Sequence, residues 1–349
     1  MCSMVHCLKV ESAQAERARQ KLISLSLFSP KYKPARKDGF VLFPLKEKCE
    51  KKAASQGKVV KCTLTLQQTH PHSLSEALAG KLSPSEIAAL TKSFDIVGDI
   101  AVLEIAPSLA KKEKIIAGAV LAVHRSIRAV AKKSGATAGE FRVRPVKVIS
   151  GEKRTSTYCR ESGCTFHLDI NKVYFSGRLS TERLRIASQV KKGEKILALF
   201  AGVGPFPIVI EKRAQAMPAK QIAVELNPGA CSFLRENILL NKCKTIEVMQ
   251  GDVAKVLQNR KYSRFADRAI MPLPKSGVEF LASVIPCMRK GGIVHFYSFG
   301  PSSAPYAGAK SAAEKIAASC GRKISVLGQR VVRPYSPGVV QTVLDLAIS

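Results

Sequence analysis

From Ile196 onward the chain alternates short apolar runs with amphipathic stretches, and this alternation limits its fold more than any other feature. Ile196–Phe200 is an apolar run of strand length. A glycine-rich turn follows, and Phe206–Arg213 then reads as a helix. Gln221–Glu225, Thr245–Gln250, Arg268–Met271 and Gly292–Tyr297 read as further strands. Pro228–Asn241, Val278–Met288 and Ala307–Ala318 read as the helices between them, and Ser325–Val332 with Val339–Ala347 as a final antiparallel pair. Strands separated by helical stretches predict a parallel α/β sheet, a Rossmann-like fold.

The first strand runs into Leu199-Phe200-Ala201-Gly202-Val203-Gly204-Pro205-Phe206. Glycines at this turn let the backbone approach a ligand closely, with a helix N-terminus behind it. Gly-x-Gly alone would equally suit a nicotinamide cofactor. Glu225 ends the second strand, where an acid can hold ribose hydroxyls. Asp252 follows the third, where an acid can reach an adenine amino group. Either acid alone could equally be a helix N-cap. The ordered trio favours S-adenosylmethionine, with Phe200, Gly202, Gly204, Pro205, Phe206, Glu225 and Asp252 as cofactor contacts.

Upstream, Val5–Val10 is a short apolar run and Ser12–Leu25 carries apolar residues at helical spacing behind Ser12 as an N-cap. Gly39–Leu45 is a β-type run, so residues 1–66 predict a small βαβ-like domain. Residues 67–80, with Thr69-His70-Pro71-His72, predict a linker. Residues 81–176 predict an α+β middle domain. Its helix start is Ser83-Pro84-Ser85-Glu86, followed by a strand broken at Gly98 and a long helix over 108–132. Strands over 141–149, 155–160 and 164–169 complete it. Residues 177–349 form the cofactor domain.

The net charge is +30, with 56 Lys and Arg against 26 Asp and Glu. It divides as +8, +8 and +14 over residues 1–80, 81–160 and 161–349, so it is not a detachable tail. The 46% hydrophobic content excludes a disordered basic tail protein. A polyanion partner, nucleic acid, is the expectation. No apolar run approaches the roughly 18 residues of a membrane span, and no signal peptide is evident at the start. The ten cysteines contain no C-x-x-C pair. They read as reduced cytoplasmic thiols, and no metal site is expected.

FHLDINKVYFSGRLSTERLRI (166–186), LFAGVGPF, Glu225-Leu226-Asn227-Pro228, DRAIMPLPKSG (267–277) and HFYSF (295–299) together resemble the archaeal and eukaryotic class I tRNA (guanine-37 N1)-methyltransferase family. The resemblance extends to GEFRVRP (139–145) and RVVRPYSPG (330–338). It covers residues 80–349, and the first module is similar to that family's small tRNA-contacting domain. It implies methylation of the guanosine 3′ of the anticodon by a cytoplasmic, monomeric enzyme that contacts the anticodon loop and body of tRNA. It implies Glu182 as general base and Arg142 as the group that stabilises charge on the guanine oxygen. This fits the chemistry, because guanine N1 carries a proton at neutral pH. Asn227 and Pro272 join the implied cofactor contacts, and Arg144, Tyr174, Phe175, Arg178, Arg183, Pro274 and Lys275 the substrate contacts. For Tyr174 and Phe175, strand alternation puts one of the two in the core.

Three positions depart from the family pattern. Ala198 stands where an Asp is usual, Gly177 where a Pro is common, and Pro272 where an Asn touches the target base. Proline offers no side-chain donor and no amide hydrogen. Pro272 resembles an archaeal subgroup that also methylates C7 of the tricyclic base 4-demethylwyosine in wyosine synthesis. Two other readings remain open: an aminocarboxypropyl transferase of wyosine synthesis, and a catalytically inactive tRNA-binding protein.

Overall fold

A computed structural model describes residues 2–67, 71–91, 93–135, 143 and 145–349. The chain divides into two compact units, Met1–Ala77 and Leu78–Ser349.

In the first unit, β1 (Cys2–Glu11), α1 (Ala15–Ser24), β2 (Ala35–Lys37), β3 (Phe40–Pro44), α2 (Glu50–Ala54) and β4 (Lys58–Thr65) follow in order. The four strands form one sheet in the order β2-β3-β1-β4, and every pairing is antiparallel. The expected βαβ-like unit is thus an antiparallel sheet. The strands not anticipated are β2 and β4; the lysines of β4 and its single buried residue, Leu64, suit a half-solvated edge. Ser12 does not cap α1; its Oγ donates to the carbonyl of Gly39 at 2.8 Å. Cys7 and Cys62 are joined in a disulfide, against the expectation of reduced thiols. Register explains it: Cys7 lies opposite Val60, so Cys62 is its diagonal neighbour across the ladder.

α3 (Leu74–Leu78) spans the boundary between the units, and α4 (Pro84–Ala88), in the second, is started by a full capping box between Ser83 and Glu86. A small sheet follows, β5 (Asp95–Val97), β6 (Ile100–Leu103), β7 (Ala129–Lys133) and β8 (Val146–Gly151), ordered as numbered. Between β6 and β7 runs α5 (Glu113–Val123). The long helix expected over 108–132 therefore ends at Val123. Ala129, Val130 and Ala131 are fully buried in β7, parallel to β6. A short continuous apolar run suits a buried strand as well as a helix, and only the sheet decides between them.

The hairpin β9 (Ser156–Glu161) and β10 (Cys164–Asp169) leads into α6 (Ser180–Gln189) and the large sheet. Its members are β11 (Lys195–Leu199), α7 (Pro205–Arg213), β12 (Lys220–Glu225), α8 (Pro228–Leu240), β13 (Ile246–Gln250), α9 (Val253–Leu257), β14 (Ala266–Met271), α10 (Leu281–Val284), β15 (Met288–Pro301), α11 (Ala307–Ser319), β16 (Ile324–Ser336) and β17 (Val339–Ile348). The order is β13-β12-β11-β14-β15-β17-β16, with five parallel strands and β17 antiparallel between its neighbours. Alternate residues of β11 feed two cores: Ile196 and Ala198 on one face, Leu197 and Leu199 on the other. Strand order reverses between β11 and β14, so the carboxyl ends of those strands open a crevice of the kind where such sheets bind ligands.

The hairpin docks on α8 through side-chain amides. Asn237 accepts from the His167 amide at 2.7 Å and donates to the His167 carbonyl at 3.1 Å. One turn on, Asn241 does the same for Thr165, at 2.9 and 2.7 Å. The free edge of β10 is thus paired by asparagines instead of a strand.

Candidate active site

The glycine turn closes β11 at the strand-order reversal. Gly202 has φ +55° and Gly204 φ +91°. A Cβ on Gly204 would lie 2.2 Å from Leu234 Cδ1, so only glycine fits there. Gly204 is also the N-cap of α7, with Pro205 in its first turn. Glu225, at the end of β12, accepts from the Gly202 amide through Oε2 at 2.7 Å and from the Asn227 amide through Oε1 at 2.8 Å. Each oxygen keeps a lone pair for a hydroxyl donor. Asp252 N-caps α9 through Oδ1, at 3.0 Å from the Lys255 amide, leaving Oδ2 for a ligand. These groups fit a nucleoside whose ribose meets Glu225 and whose base meets Asp252. Gly202, Gly204, Glu225 and Asp252 stand at the carboxyl ends of three adjacent strands.

Other expected cofactor contacts have different roles in the packing. Asn227 is buried; its Oδ1 caps α8, accepting from Gly229 at 2.9 Å, and its Nδ2 donates to the Lys172 carbonyl at 2.8 Å. The amide thus ties the start of α8 to the loop before α6. Phe206 is a core residue, 6.1 Å ring to ring from Tyr297. Phe200 has φ +53° and packs edge-on to Phe280 at 4.9 Å. Pro272 directly follows β14, partly exposed at the crevice. Ala198 is buried in the core.

Glu182 sits in the first turn of α6 and is only 2% exposed. Its Oε1 accepts from Arg185 Nε at 2.8 Å, Arg185 Nη2 at 2.6 Å and Tyr297 Oη at 2.8 Å. Its Oε2 has no hydrogen-bond partner, and Arg330 Nη1 stands 3.6 Å away. One carboxylate oxygen is therefore clamped, while the other, beside Arg330, has unused acceptor capacity. Tyr297, Arg185 and Arg330 were not anticipated as site residues. The only local signal for Tyr297 is its strand position two residues after His295, on the same face.

The expected substrate contacts are not gathered in one place. Tyr174, Phe175 and Arg178 line a cavity of about 590 Å³ with Phe94, Lys133 and Arg333. Tyr174 is exposed, while Phe175 packs on Phe166 at 5.9 Å, which assigns the core member of the pair. Arg178 pairs with Asp95 at 2.6 Å. Pro274 and Lys275 line a separate cavity of about 230 Å³ beside Phe296 and Ser298. Arg183 belongs to neither. It is 2% exposed, ion-paired to Glu161, donates to the Ser176 carbonyl at 2.9 Å and lies over Phe175. It is a buried strut, with Nη1 and Nη2 engaged inside the fold. Arg142 and Arg144 lie outside the described residues. Among the described residues no cluster of His, Cys, Asp and Glu could hold a metal ion, and no helix is long and apolar enough to cross a membrane.

The TRM5/TYW2 methyltransferase domain matches residues 157–326, the TYW2 N-terminal domain residues 74–155 and the tRNA methyltransferase 5 N-terminal domain residues 7–53. The tRNA (guanine(37)-N(1))-methyltransferase Trm5b of Pyrococcus abyssi is 37% identical over 99% of this chain and 100% of its own. The tRNA (guanine(37)-N(1))/4-demethylwyosine(37)-methyltransferase Taw22 of Nanoarchaeum equitans is 32% identical over 59% of this chain and 84% of its own. The solved complex of aTrm5 and tRNALeu superposes with a TM-score of 0.81 at 30% identity, covering 98% of this chain and 99% of that one. With full-length similarity in sequence and in fold, the chain belongs to the TRM5/TYW2 methyltransferase family.

Proposed function

We propose that this protein transfers a methyl group from S-adenosylmethionine to N1 of guanosine 37 in tRNA, 3′ of the anticodon. The observation that carries this reading is the buried Glu182, clamped through Oε1 and free at Oε2. Nucleophilic attack by guanine N1 requires loss of its proton, and Glu182 Oε2 receives it. S-adenosylmethionine supplies the electrophilic methyl group when bound. Gly202, Gly204, Glu225 and Asp252 hold and orient it, and Arg142 offsets negative charge developing on the guanine oxygen. The positive charge spread along the chain supplies affinity for one tRNA, bound by a cytoplasmic monomer. Residues 1–66 add phosphate contacts, and 81–176 and 177–349 act as middle and catalytic domains. The anticodon loop is single-stranded, so its bases can be splayed out and read individually.

Glu182→Gln keeps the side-chain shape and removes the base. Single-turnover methylation should fall at least about 100-fold with tRNA affinity nearly unchanged. Equal loss of binding and rate would indicate a binding role instead. The by-product separates the transfers: S-adenosylhomocysteine for methyl, methylthioadenosine for aminocarboxypropyl. Failure to bind the cofactor in calorimetry would favour an inactive scaffold.

A second activity, methylation of 4-demethylwyosine at C7, is favoured by Pro272 at the end of β14. A residue without a polar side chain there leaves room for a larger ring. The Nanoarchaeum equitans relative is named for both substrates. Nucleoside mass spectrometry of tRNA carrying the tricyclic base, after reaction, tests it; absence of a C7-methyl product refutes it.

A further inference from the structure

Behind Glu182 runs an unbroken line of buried and half-buried polar groups drawn from four elements and the turn before β11. Arg185, on α6, spends Nε and Nη2 on Glu182 and Nη1 on Asp345 Oδ2 of β17 at 2.6 Å. Asp345 Oδ1 meets His295 Nδ1 of β15 at 2.6 Å. His295 Nε2 meets Arg268 Nη1 of β14 at 2.6 Å, and Arg268 is held in turn by both oxygens of Glu194, just before β11. Arginine can only donate, so His295 Nε2 must accept and the ring proton sits on Nδ1, donated to Asp345. The imidazole is thereby fixed neutral. The line holds three carboxylates and two guanidiniums, and Arg330 beside Glu182 Oε2 adds a third guanidinium that balances the charge; among the carboxylate oxygens only Glu182 Oε2 lacks a hydrogen-bond partner.

The groups facing Glu182 are Arg185 from its own helix, Tyr297 from β15, Arg330 from β16 and, behind Arg185, Asp345 from β17. Phe206 of α7 packs edge-on against the Tyr297 ring. Tyr297 donates to the carboxylate and so favours its charged form. Asp345 competes for Arg185, so it leaves Glu182 with less compensating charge and favours the protonated form.

We infer that Tyr297 and Asp345 are positioning residues that set, in opposite directions, how readily Glu182 takes a proton. The inference rests on Glu182 being the general base. The test is the pH dependence of single-turnover methylation by the full chain at saturating tRNA and S-adenosylmethionine. It compares wild type, Tyr297→Phe, Asp345→Asn and Glu182→Gln. Tyr297→Phe should move the acid limb of the profile to higher pH by about half a unit to one unit, and Asp345→Asn to lower pH by a similar amount. Affinity for tRNA should stay within about twofold in both, as expected for groups that never touch RNA. A purely structural role would scale the whole profile down without moving it. Tyr297→Phe removes a single oxygen from a buried ring, so it decides the matter even if Asp345→Asn is unstable. An unmoved acid limb in Tyr297→Phe, or shifts of the same sign in both variants, overturns the inference. A wild-type rate in Glu182→Gln overturns the general-base reading instead.

Discussion

Replacing Asn237 tests how the hairpin β9–β10 is tied to the cofactor fold. The side chain is fully buried and makes three hydrogen bonds, to the His167 amide, the His167 carbonyl and the Val203 carbonyl, at 2.7, 3.1 and 3.0 Å. Asn237→Ala removes all three. At about 1 kcal/mol net per bond, with a further penalty for the buried Val203 carbonyl, the loss should be about 3–4 kcal/mol. That is a large fraction of the roughly 5–15 kcal/mol of a typical fold. Asn237→Asp is the sharper variant. It keeps the volume and the acceptor for the His167 amide, but aims a carboxylate at two carbonyls that need donors. It should be destabilised at least as much as the alanine. The chain has no tryptophan, so urea unfolding would be followed by far-UV circular dichroism. Because Val203 belongs to the glycine turn, calorimetry should also show weaker S-adenosylmethionine binding in both variants. If Asn237→Asp unfolds within about 1 kcal/mol of wild type, the amide does not bridge hairpin and turn, and the reasoning fails.

Cys62→Ser, or reduction of the wild type, opens the 55-residue loop closed by Cys7. Chain entropy sets the loss at up to about 4 kcal/mol; identical proteolysis rates of residues 1–77 with and without reductant would refute the bond's role. Gly204→Ala meets both a left-handed backbone and Leu234 Cδ1 at 2.2 Å, so cofactor binding should weaken more than about tenfold; calorimetry showing unchanged affinity would refute the fit at that turn. Burial holds His295 neutral, pushing its titration below the ordinary value of about 6.5, despite the opposing pull of Asp345. Burial opposes ionisation of Asp345 itself, but His295 and Arg185 hold its carboxyl well below the usual range. The unfolded chain then binds protons that the folded one refuses. The His295 contribution is complete above about pH 6.5 and is lost as pH falls below it, and the Asp345 contribution is complete above about pH 4 and lost below. Denaturant midpoints of wild type and His295→Gln between pH 4 and 8 check this, and equal slopes from pH 6.5 to 5 would count against it.

Local information was enough for the alternating strands and helices, the turn at Gly202 and Gly204, and the acids Glu225 and Asp252 after their strands. Periodicity, steric permission for positive φ and the position of an acid at a strand end are all properties of a few adjacent residues. The same information read Ala129–Ala131 as helix and gave no sign that Asn227 would tie α8 to the loop before α6. A buried apolar run has no period of its own, and an amide's hydrogen-bond partners cannot be read from its neighbours in sequence. Tertiary structure alone decided which polar groups meet. Tyr297 reaches Glu182 across 115 residues and Asp345 reaches Arg185 across 160. Asn237 finds His167 across 70, and Cys7 finds Cys62 by the register of two strands. Burial forces every such group to find a partner, but which partner depends on how the sheets stack, and that is a property of the whole chain.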